Sequence, residues 1–153
     1  MFGALRFVVT MGVVTGCVAT GVAQAPATQT VPAAVDTAFK KAYPKATITN
    51  VEKETADGGT VYQIESSENG RARIINYKPD GSVVNTQENM TEAEFPPAVT
   101  AAIKKRYPNA TIVERVKLTV PKDSVVHYEA HLTGVEAVDE VLLTKDGKWV
   151  FPK

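Results

Sequence analysis

Residues 31–48 read V-P-A-A-V-D-T-A-F-K-K-A-Y-P-K-A-T-I, and residues 95–112 read F-P-P-A-V-T-A-A-I-K-K-R-Y-P-N-A-T-I. The two segments are identical at eleven of eighteen positions, at an offset of 64. Asp80-Gly81 recurs as Asp146-Gly147 at an offset of 66, so the second copy carries a net insertion of two residues. A repeat of this period makes each copy one supersecondary unit, which buries its apolar face poorly alone. Each unit is about 60 residues long, a size at which an isolated domain is only marginally stable. Two copies packed together are therefore expected, rather than two independent beads.

Each copy opens with a helix. Val35, Phe39 and Tyr43 follow i, i+4, i+8, as do Val99, Ile103 and Tyr107, which places three bulky groups on one face. Pro32 and Pro96 suit a helix start, where a missing amide hydrogen costs nothing, and Pro44 and Pro108 end the helices. The pairs Lys40-Lys41 and Lys104-Lys105 fall at the negative end of the helix dipole and face solvent.

The remainder reads as strands joined by short turns. In the first copy these are Thr47–Glu54, Thr60–Glu65, Arg71–Tyr77 and Ser82–Thr86, separated by Asp57-Gly58-Gly59, Glu68-Asn69-Gly70 and Pro79-Asp80-Gly81. In the second they are Thr111–Val120, Val125–Thr133, Val138–Thr144 and Lys148–Phe151, with turns at Pro121-Lys122-Asp123 and Asp146-Gly147. The fold class is α+β, a tandem repeat of one helix on a four-stranded antiparallel sheet. Tyr128, Ala130 and Leu132 face the helix, as do Tyr62 and Ile64, and the opposite sheet face is left open. An unpaired edge on each unit would let the two sheets join into one larger sheet. Thr91-Glu92-Ala93-Glu94, between the copies, has the pattern of a capped turn.

The first residues read as an export signal. Arg6 precedes the uncharged apolar run Phe7–Val14, and small residues follow to Ala27. The apolar run is too short to span a membrane. Val14-Thr15-Gly16-Cys17 resembles a bacterial lipobox, which would make Cys17 a lipidated first residue. The alternative is ordinary cleavage near Ala23 or Ala27. The expected organisation is signal peptide and linker start over 1–27, repeat one over 28–88 and repeat two over 89–153. Cys17 is the one cysteine, so the repeats have no disulfide to lean on.

Charge excludes one class of partner. Lys plus Arg and Asp plus Glu both number 17, and no basic stripe offers the clustered cations that nucleic acid requires. No serine sits in a nucleophile-elbow context, and no glycine loop is built to cradle phosphate. His127 and His131 share a strand face but lie roughly 13 Å apart, at about 3.3 Å per residue, too far for one ion. Glu129 stands between them. No catalytic residue, metal or cofactor is expected; a His127–Ser or His131–Ser pair brought together by the fold would reopen hydrolase chemistry. The candidate partner-binding surface is His127, Glu129, His131, Trp149 and Phe151, with Arg71 and Arg73 as a second patch for an acidic partner. Core packing is the competing reading for Trp149 and Phe151, and an exposed strand end for the arginines.

The repeated P-x-A-V, the Tyr-Pro at each helix end, the A-T-I strand start, Tyr62 and Tyr128, and the closing Asp-Gly together resemble the PepSY-like family. That family is described as similar to the β-lactamase inhibitor protein, itself a tandem repeat of a helix on a four-stranded sheet. The resemblance spans residues 31–151. It implies an exported, noncatalytic, binding or inhibitor-like protein, periplasmic or secreted, or anchored through Cys17. The implied partner class is a protease or other envelope enzyme; a carrier of a small molecule or ion on the open sheet face is the alternative.

Overall fold

The computed structural model describes residues 30–56, 59–136 and 138–150. The prolines predicted to bracket each helix do so. Helix α1 spans Ala33–Ala42 and α2 spans Pro97–Arg106. Pro32 and Pro96 are the N-caps, and their carbonyls accept the first bonds, from Val35 N (2.9 Å) and Val99 N (3.0 Å). A proline disfavours helical geometry in the residue before it. Accordingly Tyr43 (φ −132°) and Tyr107 (φ −128°) leave the helix, while their amides still bond Phe39 O and Ile103 O.

Among the described residues, seven antiparallel strands follow the hairpin signals: β1 Thr47–Ala56, β2 Gly59–Glu68, β3 Arg71–Tyr77, β4 Val83–Asn89, β5 Thr111–Val120, β6 Val125–Thr133 and β7 Glu140–Leu143. Their order in the sheet is their order in the chain. The two units join through β4 and β5, with Gln87 opposite Leu118 and Asn89 opposite Val116. The result is one continuous sheet.

The second unit departs from the expected four strands. The last segment pairs with β7 through a single bridge, Leu143 to Trp149, backed by Thr144 N→Lys148 O and Val150 N→Leu142 O bonds. Its counterpart β4 is held on both sides, by β3 and β5; among the described residues, 148–150 pair with β7 alone. Phe151 lies outside the described residues.

Both helices cover the same sheet face and make two cores. Val35, Phe39, Ile64, Ile75 and Tyr77 form one; Phe95, Val99, Ile103, Ile112, Tyr128, Ala130, Leu132, Val141 and Leu143 belong to the other. The predicted inward faces of β2 and β6 are therefore correct. The Asp-Gly turns lock each sheet to its helix start. Gly81 (φ +83°) and Gly147 (φ +80°) lie so close to a helix that an added Cβ would stand 2.7 Å from Ala34 O and 2.6 Å from Ala98 O. Glycine is needed there both for the left-handed backbone and for the approach.

The predicted capped turn also forms. Thr91 N and Oγ1 both donate to Glu94 Oε2 at 2.9 Å. Arg71 donates to the other Glu94 oxygen at 2.5 Å, which fastens the connection between the units to the sheet.

Candidate functional surface

The open face of the sheet is set by two β-bulges. Register slips between Ile48 and Asn50 in β1, and between Ile112 and Glu114 in β5. One extra residue reverses the alternation. Ile112 thus points to the α2 core, whereas Glu114 turns to the open face opposite His131; Val113, the extra residue, is 57% exposed. The repeat reproduces the device at Thr49 and places Asn50 opposite Glu65.

Cross-strand pairing then lays out the face. Gln63, Asn76, Asn85, Gln87, Leu118, His127, Glu129, His131, Leu142 and Glu140 follow one another across it. At its centre Asn76 is fully buried and donates Nδ2 to Asn85 Oδ1 at 2.8 Å; its own Oδ1 has no partner among the described residues. The arrangement is polar with apolar insets at the half-buried Ile74, Leu118 and Leu142 and the buried Val116.

One end of the face concentrates titratable groups. His131 Nε2 lies 2.9 Å from Glu129 Oε1, to which an N–H there donates, and 4.0 Å from Glu114 Oε2. Asn89 Nδ2 donates to Glu114 Oε1 at 2.9 Å. Glu140 approaches from β7, and donor atoms of Glu129, His131 and Glu140 all fall within 4.8 Å of one another. The Glu129 side chain is 12% exposed. Burial pushes its carboxyl above the usual range, Glu140 and Glu114 add to the rise, and His131 opposes it. Burial lowers His127.

The predicted surface residues separate into two groups. His127, Glu129 and His131 share the open face, as expected from strand alternation. Trp149 does not join them: it packs on the α2 core, edge-on to Tyr107 at 5.9 Å between centroids, with the Arg106 guanidinium 4.9 Å from its ring centroid. This is the competing core reading, and it removes Trp149 from any surface shared with the histidines. Arg71 and Arg73 are not a free strand end either. The Arg73 side chain is 10% exposed, pairs with Glu88 at 2.8 Å and Glu68 at 3.7 Å, and stacks 4.3 Å from the Tyr43 ring centroid. Arg71 is committed to Glu94 and Glu88. Both arginines lie on the helix-bearing face, beside the glutamates that neutralise them. Cys17 and Phe151 lie outside the described residues.

Sequence reasoning missed Glu114 and Glu140. Glu114 was hidden by the bulge, which no residue pattern in T-I-V-E-R-V announces, and Glu140 by the register of β7. His131 is bonded to a carboxylate, while the hydroxyls of Ser66 and Ser82 are engaged by Arg73 O and Asp80. Among the described residues no helix is long and apolar enough to cross a membrane.

Solved structures share this architecture. A BLIP-like protein from Bacteroides fragilis superposes with a TM-score of 0.64 at 22% identity, over 81% of this chain and 86% of that one. A DUF2874 family protein from Bacteroides uniformis gives 0.65 at 22% identity, over 79% and 87%. A protein from Bacteroides eggerthii, described as periplasmic, gives 0.66 at 20% identity, over 80% and 87%. At these identities the likeness is one of fold. No curated protein matches the chain significantly. The model of the PepSY-like, beta-lactamase-inhibitor-like family matches residues 23–84 and again 68–151, one match for each repeat. Two matches that between them run from the linker to the last bridge leave little of the chain outside, and the chain belongs to the PepSY-like family.

Proposed function

We propose that this is an exported, noncatalytic binding protein that engages another envelope or secreted protein through the open face of its sheet, in an inhibitor-like manner. One observation carries the reading: seven strands form a single sheet whose two helices both cover the same side. A broad face with polar groups around apolar insets suits a protein partner, which is recognised by extended complementarity rather than enclosure. Membership in a family described as beta-lactamase-inhibitor-like supports the noncatalytic, inhibitor-like role. The partner class we favour is a protease or other envelope enzyme. The likeness to a protein described as periplasmic supports export.

A small-molecule carrier is less well supported. A depression of about 360 Å³ is lined by Leu132, Val135, Val138 and Asp139, at the rim of the α2 core and off the open face. A carrier site instead converges several polar groups inside a cleft.

Affinity capture from the envelope fraction of the source organism tests the proposal. Leu118→Arg, at the centre of the open face, should abolish recovery of a stoichiometric partner, while Lys105→Glu on the helix side should leave it unchanged. Equal recovery with both variants would place the contact elsewhere.

A further inference from the structure

We propose that His131, Glu129 and Glu140, with Glu114 beside them, form a binding site for a divalent transition-metal cation, of which Zn²⁺ fits best. The inference concerns one end of the open face and does not depend on what protein that face binds.

Four strand positions converge there for reasons already visible in the fold. Glu129 and His131 are two residues apart on β6 and so share a face; β7 pairs Glu140 with His131, and the β5 bulge turns Glu114 towards the same histidine. The donors of Glu129, His131 and Glu140 lie within 4.8 Å of one another. A tetrahedral Zn²⁺ site with bonds of about 2.1 Å holds its donors about 3.4 Å apart. The gap closes by side-chain rotation, and the exposed Glu140 is free to make the larger part of it.

Charge points the same way. Three carboxylates surround one imidazole, and the ion pairs of Glu114 and Glu129 among the described residues both run to His131. Among the described residues no Lys or Arg pairs with this part-buried cluster, and a divalent ion would supply the positive charge. The imidazole nitrogen selects among cations: Ca²⁺ and Mg²⁺ prefer oxygen-only shells, whereas mixed nitrogen and carboxylate donors suit Zn²⁺ and its neighbours. Binding would exchange the present His131–Glu129 hydrogen bond for two metal bonds, with the imidazole proton moved to Nδ1. Glu114, whose other oxygen is oriented by Asn89, or a water would fill the fourth position.

The first repeat is a built-in control. At the matching positions it carries Asn50, Gln63, Glu65 and Ile74 in place of Glu114, Glu129, His131 and Glu140. The same backbone, bulge included, presents two amides, one carboxylate and an isoleucine where the second repeat presents three carboxylates and a histidine.

The test is calorimetric titration of the chelator-treated protein with ZnCl₂, in a Cys17→Ser background that removes the one thiol. One Zn²⁺ per chain is expected, with little or no binding of Mg²⁺. His131→Gln and, separately, the exposed Glu140→Gln should each weaken binding by about tenfold or more, and His127→Gln on the same strand should leave it unchanged. Lowering the pH from about 7.5 to about 5.5 should weaken it further, because the ligand imidazole must be unprotonated. Absence of binding up to about 1 mM Zn²⁺, the weak end of measurable affinity, would overturn the proposal. So would binding that survives both ligand variants, or that is lost equally in a folded His127→Gln protein.

Discussion

The two repeats keep the same helix face and exchange almost everything on the other side of the sheet. Val35 and Phe39 in the first become Val99 and Ile103 in the second, all buried, and the Gly81 and Gly147 turns press on Ala34 and Ala98 in the same way. Even the bulges recur. Against this, Tyr43 is covered by the Arg73 guanidinium, and Tyr107 by the Trp149 indole. On the open face the differences are larger still, with Asn50, Gln63, Glu65 and Ile74 against Glu114, Glu129, His131 and Glu140. Helix-side positions are tied to a packed core, where a change of volume costs stability. Apart from the buried Asn76 and Val116, open-face positions carry no such tie, so they are where a duplicated scaffold is free to become specific.

The comparison breaks first if the units are energetically independent. Phe39→Ala in the first core should cost about 3–5 kcal/mol. Because the sheet is continuous through β4 and β5, the loss should appear in the unfolding of the whole molecule. Trp149, the one tryptophan, sits in the second unit. Its fluorescence transition in urea should shift to lower denaturant along with the far-ultraviolet circular dichroism. A fluorescence midpoint unmoved by Phe39→Ala would mean two separately folding halves.

Next in size is Trp149→Ala, expected to cost about 2–3 kcal/mol by removing a partly buried indole from the α2 core. A midpoint shift in chemical denaturation, with partner capture retained, places Trp149 in the scaffold; capture lost at full stability would return it to the binding surface. The paired turns follow. Gly81→Ala and Gly147→Ala should each destabilise by about 1–3 kcal/mol, through a disfavoured positive φ and a clash with the helix carbonyl. Gly70→Ala, where a Cβ meets open space, should cost less. Near-equal losses at 81 and 147 would confirm that the two helix–turn locks are one device used twice.

The smallest effects are electrostatic and have opposite signs in pH. Hydrogen bonding from Arg71, then from Thr91, holds the Glu94 carboxyl down at about 2. Its contribution is therefore present above the ordinary carboxylate range and is lost as pH falls towards 2. Glu129 is raised, chiefly by burial. Its ionisation in the folded state opposes stability as pH rises through the ordinary carboxylate range and above. Metal-free Glu129→Gln should accordingly melt no lower than the parent at neutral pH, and the advantage should vanish in acid. Melting curves of Glu94→Gln and Glu129→Gln between about pH 3 and 8 would show the two slopes diverging.

Much of the scaffold was legible because the repeat prints its signals twice. The i, i+4, i+8 triplets, the Tyr-Pro stops, the Asn-Gly and Asp-Gly turns and the strand alternation of β2 and β6 each act within a few residues, so local sequence carries them. The final strand was overread, because a β-branched and aromatic run such as Lys148–Phe151 looks the same whether it has one neighbour or two. The open-face cluster was only half legible. His127, Glu129 and His131 share a face by the period of a strand alone. Glu114 and Glu140 reach them through a bulge and a cross-strand register, which depend on tertiary pairing. Arg71 and Arg73 misled for a similar reason: nothing near them in sequence announces that Glu88 and Glu94 will neutralise them and that Tyr43 will stack on Arg73.

The claim that specificity lies where the repeats differ is tested most directly by erasing that difference. A variant carrying Glu114→Asn, Glu129→Gln, His131→Glu and Glu140→Ile gives the cluster at the end of the second unit's open face the residues of the first. Its capture yield from the envelope fraction, measured beside the parent protein at matched folded concentration, is the decisive quantity. The account predicts a folded protein that recovers no stoichiometric partner. Undiminished recovery by that variant would contradict it.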